Sequence, residues 1–174
     1  GTNGDGVCRF DGQHFYQYTE EEGLSGNQVY CMMQDCRKNF WFGTNSGGVC
    51  FFDGKSFTHY SKEQGFGSDI VYSIMEDAER NIWFGPDGGG AIKFDPKGAG
   101  GKSFTSYTKK EGLPSNTVYS ILQDDMRNIW LGTDEGGVCK FDPEGAGGAK
   151  FTTYTEKEGL SNNRVWSIVQ DRQN

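Results

Sequence analysis

Residues 118–133 read VYSILQDDMRNIWLGT, and the same pattern occurs at three other places in the chain. The other copies are VYCMMQDCRKNFWFGT at 29–44, VYSIMEDAERNIWFGP at 71–86 and the shorter VWSIVQDRQN at 165–174. Trp41 and Trp83 are 42 residues apart, and Trp83 and Trp130 are 47 apart. A period of about 40–50 residues is typical of repeat proteins, whose units bury their apolar faces against each other. The predicted repeats are residues 1–42, 43–84, 85–131 and 132–174.

Each repeat contains four short runs with the composition of β-strands, separated by turns rich in Gly, Asn and Asp. In one copy the runs are VYSILQ (118–123), NIWLGT (128–133), GVCKF (137–141) and FTTYT (151–155). The runs become more polar in that order, so we expect burial to fall from the first strand to the fourth. A four-stranded meander of this kind is typical of a propeller blade. The sequence therefore predicts an all-β fold, a β-propeller of four-stranded antiparallel blades, with about four repeats of 42–47 residues in this chain.

Two other repeat architectures fit the pattern less well. A helical solenoid requires apolar residues spaced by three and four, whereas these runs are short and continuous or alternate with period 2. A parallel β-helix usually repeats over fewer residues. In a propeller the first strand of each blade lies nearest the axis, and we expect the recurring tryptophans to pack between adjacent blades.

Two features predict turns at the surface. The third and fourth repeats lengthen one turn, to FDPKGAGGKSF (94–104) and FDPEGAGGAKF (141–151), where the second repeat has FDGKSF (52–57). An insertion confined to a Gly-rich site between aromatic runs indicates an exposed hairpin loop. The segments that join consecutive blades share a glycine for which we expect a positive φ angle. These glycines are Gly23, Gly65, Gly112 and Gly159.

Composition excludes several classes of partner. The net charge of −7 opposes binding to nucleic acids and to anionic membranes. No run of apolar residues is long enough to span a bilayer, so we expect no membrane insertion by this segment. The five cysteines have no paired spacing, and three of them share one repeat position, which predicts packed free thiols. These three are Cys8, Cys50 and Cys139.

The repeats resemble the two-component regulator propeller repeat, over essentially the whole chain. Its pattern, V-x-S-I-x-Q-D-x-x-G-N-I-W-x-G-T followed by G-G-L/V-x-x-F-D, F-x-x-Y and G-L-P/S-x-N, is matched by residues 118–133, 136–142, 151–154 and 159–163. Lys38, Arg80 and Arg127 stand where that family often has Gly, a departure expected to alter only a hairpin turn. The resemblance implies a propeller of the kind found in extracytoplasmic sensor regions of bacterial hybrid histidine kinases, where it serves in ligand sensing and in holding the receptor dimer. It would place the chain in the periplasm or outside the cell.

The ends of the sequence fall within the repeat pattern. The chain contains four first strands, four third strands and four fourth strands, but three complete tryptophan strands. A ring closed within one chain would leave one blade without its second strand and expose unpaired backbone groups. We therefore expect a piece of a longer propeller. A ring of four blades and a half-propeller that self-assembles are the alternatives.

No arrangement of residues predicts catalysis, a metal site or a cofactor. Streptogramin lyases, which have related propeller repeats, use His in catalysis, but His14 and His59 occupy different repeat positions and neither is paired with a second His or an acid at a shared site. A recurring Asp at the end of each first strand is expected to cap the following turn, because Arg or Lys in those turns opposes calcium binding. These residues are Asp35, Asp77, Asp124 and Asp171. The Gly-rich loops lack the Lys-Ser/Thr ending of a phosphate-binding loop and are interpreted as hairpin turns.

The candidate site is the axial mouth, formed by the residues just before each first strand. They vary within an otherwise repeated frame, which is where an asymmetric ligand can be recognised. The candidates are Asn27, Gln28, Asp69, Asn116, Thr117, Asn163 and Arg164, with Ile70 at the remaining position. Amides and carboxylates beside aromatic rings suit a small polar ligand such as a saccharide. The alternative is that Asn and Asp serve only the turn, and Ala at Asn116 or Asn163 would then lower the melting temperature as well as any ligand affinity.

Two functions from different classes fit these observations. The first is a non-catalytic module for ligand sensing or binding. The second is a structural or protein-interaction scaffold, including one that self-assembles into a larger propeller or homo-oligomer. The identity of a ligand and the total number of blades do not follow from the sequence.

Overall fold

The computed structural model describes residues 1–64, 66–97, 103–145 and 150–171. Within them the chain forms fourteen strands and three short 3-10 turns, and the sheets are antiparallel throughout. A two-stranded sheet contains β1 (Val7–Phe10) and β2 (Phe15–Tyr18). The lengthened turns that the sequence predicts at 94–104 and 141–151 include residues 98–102 and 146–149, which lie outside the described residues.

Three four-stranded sheets follow, each with its strands in chain order from one edge to the other. The first contains β3 (Val29–Gln34), β4 (Phe40–Thr44), β5 (Val49–Phe52) and β6 (Phe57–Tyr60). The second contains β7 (Val71–Glu76), β8 (Ile82–Pro86), β9 (Ala91–Asp95) and β10 (Ser103–Tyr107). The third contains β11 (Val118–Gln123), β12 (Ile129–Thr133), β13 (Val138–Asp142) and β14 (Lys150–Tyr154). The predicted all-β propeller of four-stranded antiparallel blades is confirmed.

The chain divides into two compact units, Gly1–Ile74 and Met75–Asn174. The core of the first unit contains Val7, Leu24, Val29, Phe42 and Cys50. The core of the second contains Trp83, Ala91, Leu113, Val118, Ile129, Leu131, Cys139 and Phe141. Each core draws residues from more than one sheet and from the segment that joins the sheets, as expected when a blade cannot bury its apolar residues alone.

The predicted fall in burial from first strand to fourth is wrong for the first two strands. In the third sheet only Val118 of β11 is fully buried, whereas four of the five residues of β12 are. The first sheet shows the same order, with β4 more buried than β3. The reason is that the first strand forms an edge of its sheet and pairs on one side only, while the second has a strand on both sides.

Trp83 shows how adjacent blades pack. Its ring lies 5.6 Å from that of Tyr107 in the same sheet and 5.7 Å from that of Phe141 in the next sheet. Trp83 is 2% exposed, so it fills the space between the two layers, as predicted. Burying an aromatic ring of this size stabilises a fold by about 3–5 kcal/mol relative to Ala.

The segments between blades are fixed by local hydrogen bonds. Thr19 and Thr155 each begin a 3-10 turn, and each forms a capping box with the Glu three residues later. The following glycines, Gly23 and Gly159, have φ angles of 105° and 110°, as predicted. Gly112 has the same conformation, and Gly65 lies outside the described residues.

The turns between first and second strands hold basic residues in the left-handed region. Lys38, Arg80 and Arg127 have φ angles of 68°, 74° and 67°. Glycine adopts this conformation at little cost, so the basic residues that replace it here hold a strained backbone conformation. Arg127 also forms an ion pair with Glu79, at 2.7 Å.

Candidate ligand-binding face

Three of the four recurring aspartates, Asp35, Asp77 and Asp124, serve the turns, as predicted, and the turn after Asp171 lies outside the described residues. The Asp77 carboxylate accepts hydrogen bonds from the Trp83 indole, the Asn81 amide group and the Asn81 backbone N–H, each at 2.8 Å. Asp35 and Asp124 accept the equivalent bonds from their own Asn and Trp residues. Burial raises the pKa of Asp124, but the hydrogen bonds from Trp130 and Asn128 outweigh it and hold that pKa below 3.8. Within the described residues, no group of His, Cys, Asp and Glu is placed to hold a metal ion.

The cysteines are all free thiols, and only some are packed. Cys50 and Cys139 are fully buried, as expected. Cys8 is exposed, which corrects the prediction for that position, because β1 belongs to a two-stranded sheet that leaves one of its faces uncovered. His59 lies on an outer strand with its Nε2 2.8 Å from the Gly23 carbonyl oxygen. No helix in the described part of the chain is both long and apolar enough to cross a bilayer.

Four of the predicted site residues bind the backbone of their own segment. The Oδ1 atoms of Asn27, Asn116 and Asn163 each accept the backbone N–H seven residues earlier at 2.9 Å, and Asp69 does so at 2.8 Å. Their carbonyl oxygens accept an N–H from a glycine in the neighbouring turn. Replacing these side chains with Ala would remove a folding contact as well as a candidate ligand contact. Their part in ligand binding stays a prediction.

The residues one position later project toward the turns between second and third strands. In the first unit, Gln28 accepts a hydrogen bond from the Asn45 amide and donates one to the Asn3 side chain. In the second unit, the Thr117 hydroxyl donates to Asp87 at 2.9 Å, and its carbonyl accepts the Asp134 N–H at 3.1 Å. Each of these residues therefore connects two successive turns on one face of its unit.

Arg164 occupies the same position at the end of the second unit. Its Nε donates to Asp134 at 2.6 Å and its Nη2 to Glu135 at 3.0 Å. The hydrogen bond with Asp134 raises the pKa of Arg164 further above its usual value. An open cavity of about 620 Å³ lies beside the guanidinium. It is lined by Glu135, Glu156, Asn162, Asn163, Arg164 and Trp166.

An aromatic residue follows directly after each of these positions in the sequence. The second residue of each first strand is aromatic: Tyr30, Tyr72 and Tyr119, with Trp166 at the equivalent position. Tyr30 stacks on Tyr72 in the first unit, with ring centroids 5.6 Å apart. Tyr119 stacks on Trp166 in the second, at 4.1 Å. Burial and the neighbouring Asp134 raise the pKa of the Tyr119 hydroxyl, so the phenol stays protonated and can donate a hydrogen bond.

The polar groups of the two units differ in charge. In the first unit the group consists of the amides Asn3, Gln28 and Asn45. In the second, Asp87, Asp134 and Glu135 surround Thr117 and Arg164, so carboxylates outnumber the single guanidinium. Since that guanidinium already pairs with two carboxylates, neither group offers an unpaired positive charge to an anion.

The sequence alone did not identify the turn residues Asn3, Asn45, Asp87 and Asp134. They lie in the Gly-rich loops, for which the sequence predicts only hairpin turns. A signal was present: the position directly after the Gly-Thr or Gly-Pro of the second strand is Asn or Asp in every copy. What the sequence could not give is their pairing with residues about 30 positions away, which depends on how consecutive blades stack.

Comparison with known proteins agrees with this architecture. The family described as "Two component regulator propeller" matches the chain at residues 23–46, 65–88 and 112–135. Each match covers a joining segment and the first two strands of a blade. No curated protein matches the chain at a significant level.

Two solved structures are similar to the chain. One is the extracellular domain assigned to the hybrid two component system BT3049 of B. thetaiotaomicron, with 26% identity and a TM-score of 0.78 over 94% of this chain. The other is the extracellular domain assigned to the hybrid two component system BT4673 of the same organism, with 19% identity and a TM-score of 0.78 over 98% of this chain. The match spans 21% and 25% of those domains, so the chain is about a fifth to a quarter of their length. Three segments of the chain thus match the repeat of the two component regulator propeller family.

Proposed function

We propose that the chain is a non-catalytic ligand-binding module of the sensor type, and that it recognises a small, polar, uncharged ligand such as a saccharide. The observation that carries the proposal is the polar group of each unit, formed by Gln28 and its partner turns in the first unit and by Thr117, Arg164 and their partner turns in the second. Polar side chains vary there within an otherwise repeated frame, and exposed aromatic rings lie next to them.

The chemistry of this face suits a polyhydroxylated ligand. Amide groups can donate to and accept from sugar hydroxyls, carboxylates accept from them, and an aromatic ring offers an apolar face against which a sugar ring can lie. Trp166 is 64% exposed beside the cavity at Arg164, which makes it the accessible ring of the second unit. The excess of carboxylates disfavours an anionic ligand.

The similar structures support a place for this module outside the cytoplasm. Both are described as extracellular domains of hybrid two component systems. We infer that the chain contributes blades to such a sensor region, where ligand binding would be passed to domains elsewhere in the protein.

A binding experiment with the 174-residue chain tests this function. The probes are neutral oligosaccharides and uronic-acid oligosaccharides of matched length, first on a glycan array and then by titration calorimetry. We expect binding of a neutral saccharide, at least a tenfold loss with Trp166→Ala and a smaller loss with Arg164→Ala. The control is Tyr16→Ala, which removes a partly exposed ring from β2 that is not one of the candidate site residues. Binding only of the acidic oligosaccharides, or equal affinity of Trp166→Ala and the unmodified chain, would contradict the proposal.

A second function is favoured by a different observation. Residues 165–171 form an extended apolar edge beside Trp130, as expected of a protein-interaction scaffold. The two functions use different cavities of the second unit, one beside Arg164 and one beside Trp130, although Trp166 belongs to the segment that lies next to both.

A further inference from the structure

A cavity lies between the second and third four-stranded sheets, and all the residues that line it belong to the second unit. Its volume is about 250 Å³, below the roughly 300–1,000 Å³ of pockets for drug-sized ligands, so an occupant has the size of a free amino acid or a monosaccharide. Part of its wall is aromatic. The Tyr107 ring lies 5.6 Å from that of Trp83 in the same sheet and 4.9 Å from that of Phe141 in the next sheet.

The turn after β7 and the end of β11 are joined beside this cavity. Gln123 accepts the Ala78 backbone N–H at 2.7 Å, and the Arg127 guanidinium pairs with Glu79 at 2.7 Å. The side chains of Gln123, Arg127 and Glu79 all contribute to the lining. Contacts within the chain alone therefore hold the two sides of the cavity together, as in most small-molecule sites, which are largely pre-formed.

Lys93 brings an ammonium group to the cavity. In each of the three sheets, one residue of the third strand lies opposite the tryptophan of the second strand. In the first sheet this residue is Phe51, whose ring lies 4.7 Å from that of Trp41. In the second sheet it is Lys93, with its Nζ 5.9 Å from the centre of the Trp83 ring. Lys93 forms no ion pair with a carboxylate in the described part of the chain, so its charge is available to an anionic group.

Three carboxylates line the cavity, and one of them is available to a cation. Asp77 accepts hydrogen bonds within its own turn, and Glu79 pairs with Arg127. Glu144 is exposed and forms no ion pair among the described residues. Because these carboxylates outnumber the two cations of the lining, a simple anion is disfavoured. A ligand with one positive and one negative group can pair with both Lys93 and Glu144.

We propose that this cavity binds a free α-amino acid with an apolar side chain. The ligand carboxylate pairs with the Lys93 ammonium, and the ligand ammonium pairs with the Glu144 carboxylate. The apolar side chain lies against the rings of Tyr107 and Phe141. The two charged contacts fix the orientation of the ligand, and burial of its side chain adds affinity. The site shares no lining residue with the cavity beside Arg164.

Titration calorimetry with L-leucine and two analogues tests the class of ligand. Isocaproate has the side chain and carboxylate of leucine without the ammonium, and isoamylamine has the side chain and ammonium without the carboxylate. We expect saturable binding of L-leucine to the 174-residue chain and about tenfold weaker binding of each analogue, because each leaves one charged group of the cavity without its partner. Equal affinity of either analogue, or no binding of L-leucine, would contradict the proposal.

Two variants of the chain assign the two charges. Lys93→Met keeps an apolar side chain over Trp83, and it should weaken L-leucine binding about tenfold and leave isoamylamine binding unchanged. Glu144→Gln should weaken L-leucine binding by a similar factor and leave isocaproate binding unchanged. Lys140→Met is the matched control, because the Lys140 Nζ lies 5.8 Å from the Trp130 ring in the third sheet, outside the lining of this cavity. It should bind L-leucine like the unmodified chain.

Circular dichroism establishes that each variant is folded. An unchanged affinity for L-leucine in folded Lys93→Met or Glu144→Gln would overturn the proposal. Glu144 is exposed, so Glu144→Gln decides the outcome even where Lys93→Met does not fold. An equal loss of affinity in Lys140→Met would also overturn it, because the lysines would then act through the stability of the sheets and not through contact with the ligand.

Discussion

Asp77 is a buried carboxylate that accepts three hydrogen bonds, and its removal should lower the stability of the fold. Asp77→Ala leaves the Trp83 indole, the Asn81 amide group and the Asn81 backbone N–H without their acceptor in the interior. We expect the free energy of unfolding to fall by about 3 kcal/mol. The measurement is urea denaturation followed by tryptophan fluorescence.

Asp35→Ala is the matched comparison for this prediction. Asp35 is less buried, and its bond to the Trp41 indole is longer, at 3.2 Å. A smaller loss of stability is therefore expected. If Asp77→Ala unfolds at the same urea concentration as the unmodified chain, the carboxylate does not support the turn.

The roles of some single residues could be predicted from the sequence, and those of others could not. The role of Asp77 could be predicted because recurrence in every repeat implies a recurrent structural task. Arg164 could be identified as unusual because its position varies. Its partners, Asp134 and Glu135, could not, because no periodic pattern reports which turn a long side chain reaches. The structural role of the four Asn and Asp candidates could not be predicted from the sequence. In the structure their side-chain oxygens accept hydrogen bonds from backbone N–H groups.

The segments between blades are short elements stabilised by an ionised group. Hydrogen bonds from the Thr155 hydroxyl and backbone N–H lower the pKa of Glu158 below 4.5, and Glu22 and Glu111 have the same arrangement. A lowered pKa in the folded chain means that the stabilisation is present above the ordinary pKa and is lost as the pH falls through the folded value. Stability should therefore decrease from about pH 5 downward.

Glu158→Gln tests this dependence because glutamine keeps the size of the side chain but cannot ionise. We expect the variant to be less stable than the unmodified chain at pH 7, and the difference to shrink as the pH is lowered to 3. The measurement is the urea midpoint at each pH. A constant difference across that range would show that ionisation of Glu158 does not stabilise the cap.

The sequence predicted the positions and order of the strands well, and the burial of each strand less well. Apolar runs of four to six residues bounded by turn residues are sufficient to indicate strands. They do not report whether a strand has one neighbour or two, which is why β12 is more buried than β11 although VYSILQ is at least as apolar as NIWLGT. The strained turns at Lys38, Arg80 and Arg127 were likewise visible only as a departure from a pattern.

Across the whole chain, the packing of the sheets can be tested by measuring how fast each of the five cysteine thiols reacts. Burial raises the pKa of Cys31 to about 12 and those of Cys50 and Cys139 to about 11. Cys8 and Cys36 are exposed. At pH 8 we expect a thiol reagent to modify Cys8 and Cys36 quickly and the other three only as fast as the chain unfolds, because the thiolate is the reactive form.

The control for this prediction is the Cys8→Ser, Cys36→Ser double variant, which should show no fast phase. All five thiols of the unmodified chain should react in denaturant. Rapid modification of three or more thiols in the native chain would mean that the buried strands are not packed as described.

The stacking of Tyr119 on Trp166 has a spectroscopic consequence. Two rings with centroids 4.1 Å apart and planes 19° from parallel couple their electronic transitions, so the pair should contribute its own signal to the ultraviolet circular dichroism spectrum. A molecule that slides between the rings, or covers the outer one, would change that signal. The second unit therefore carries a built-in optical reporter, and occupancy of its aromatic face can be followed in solution without attaching a dye.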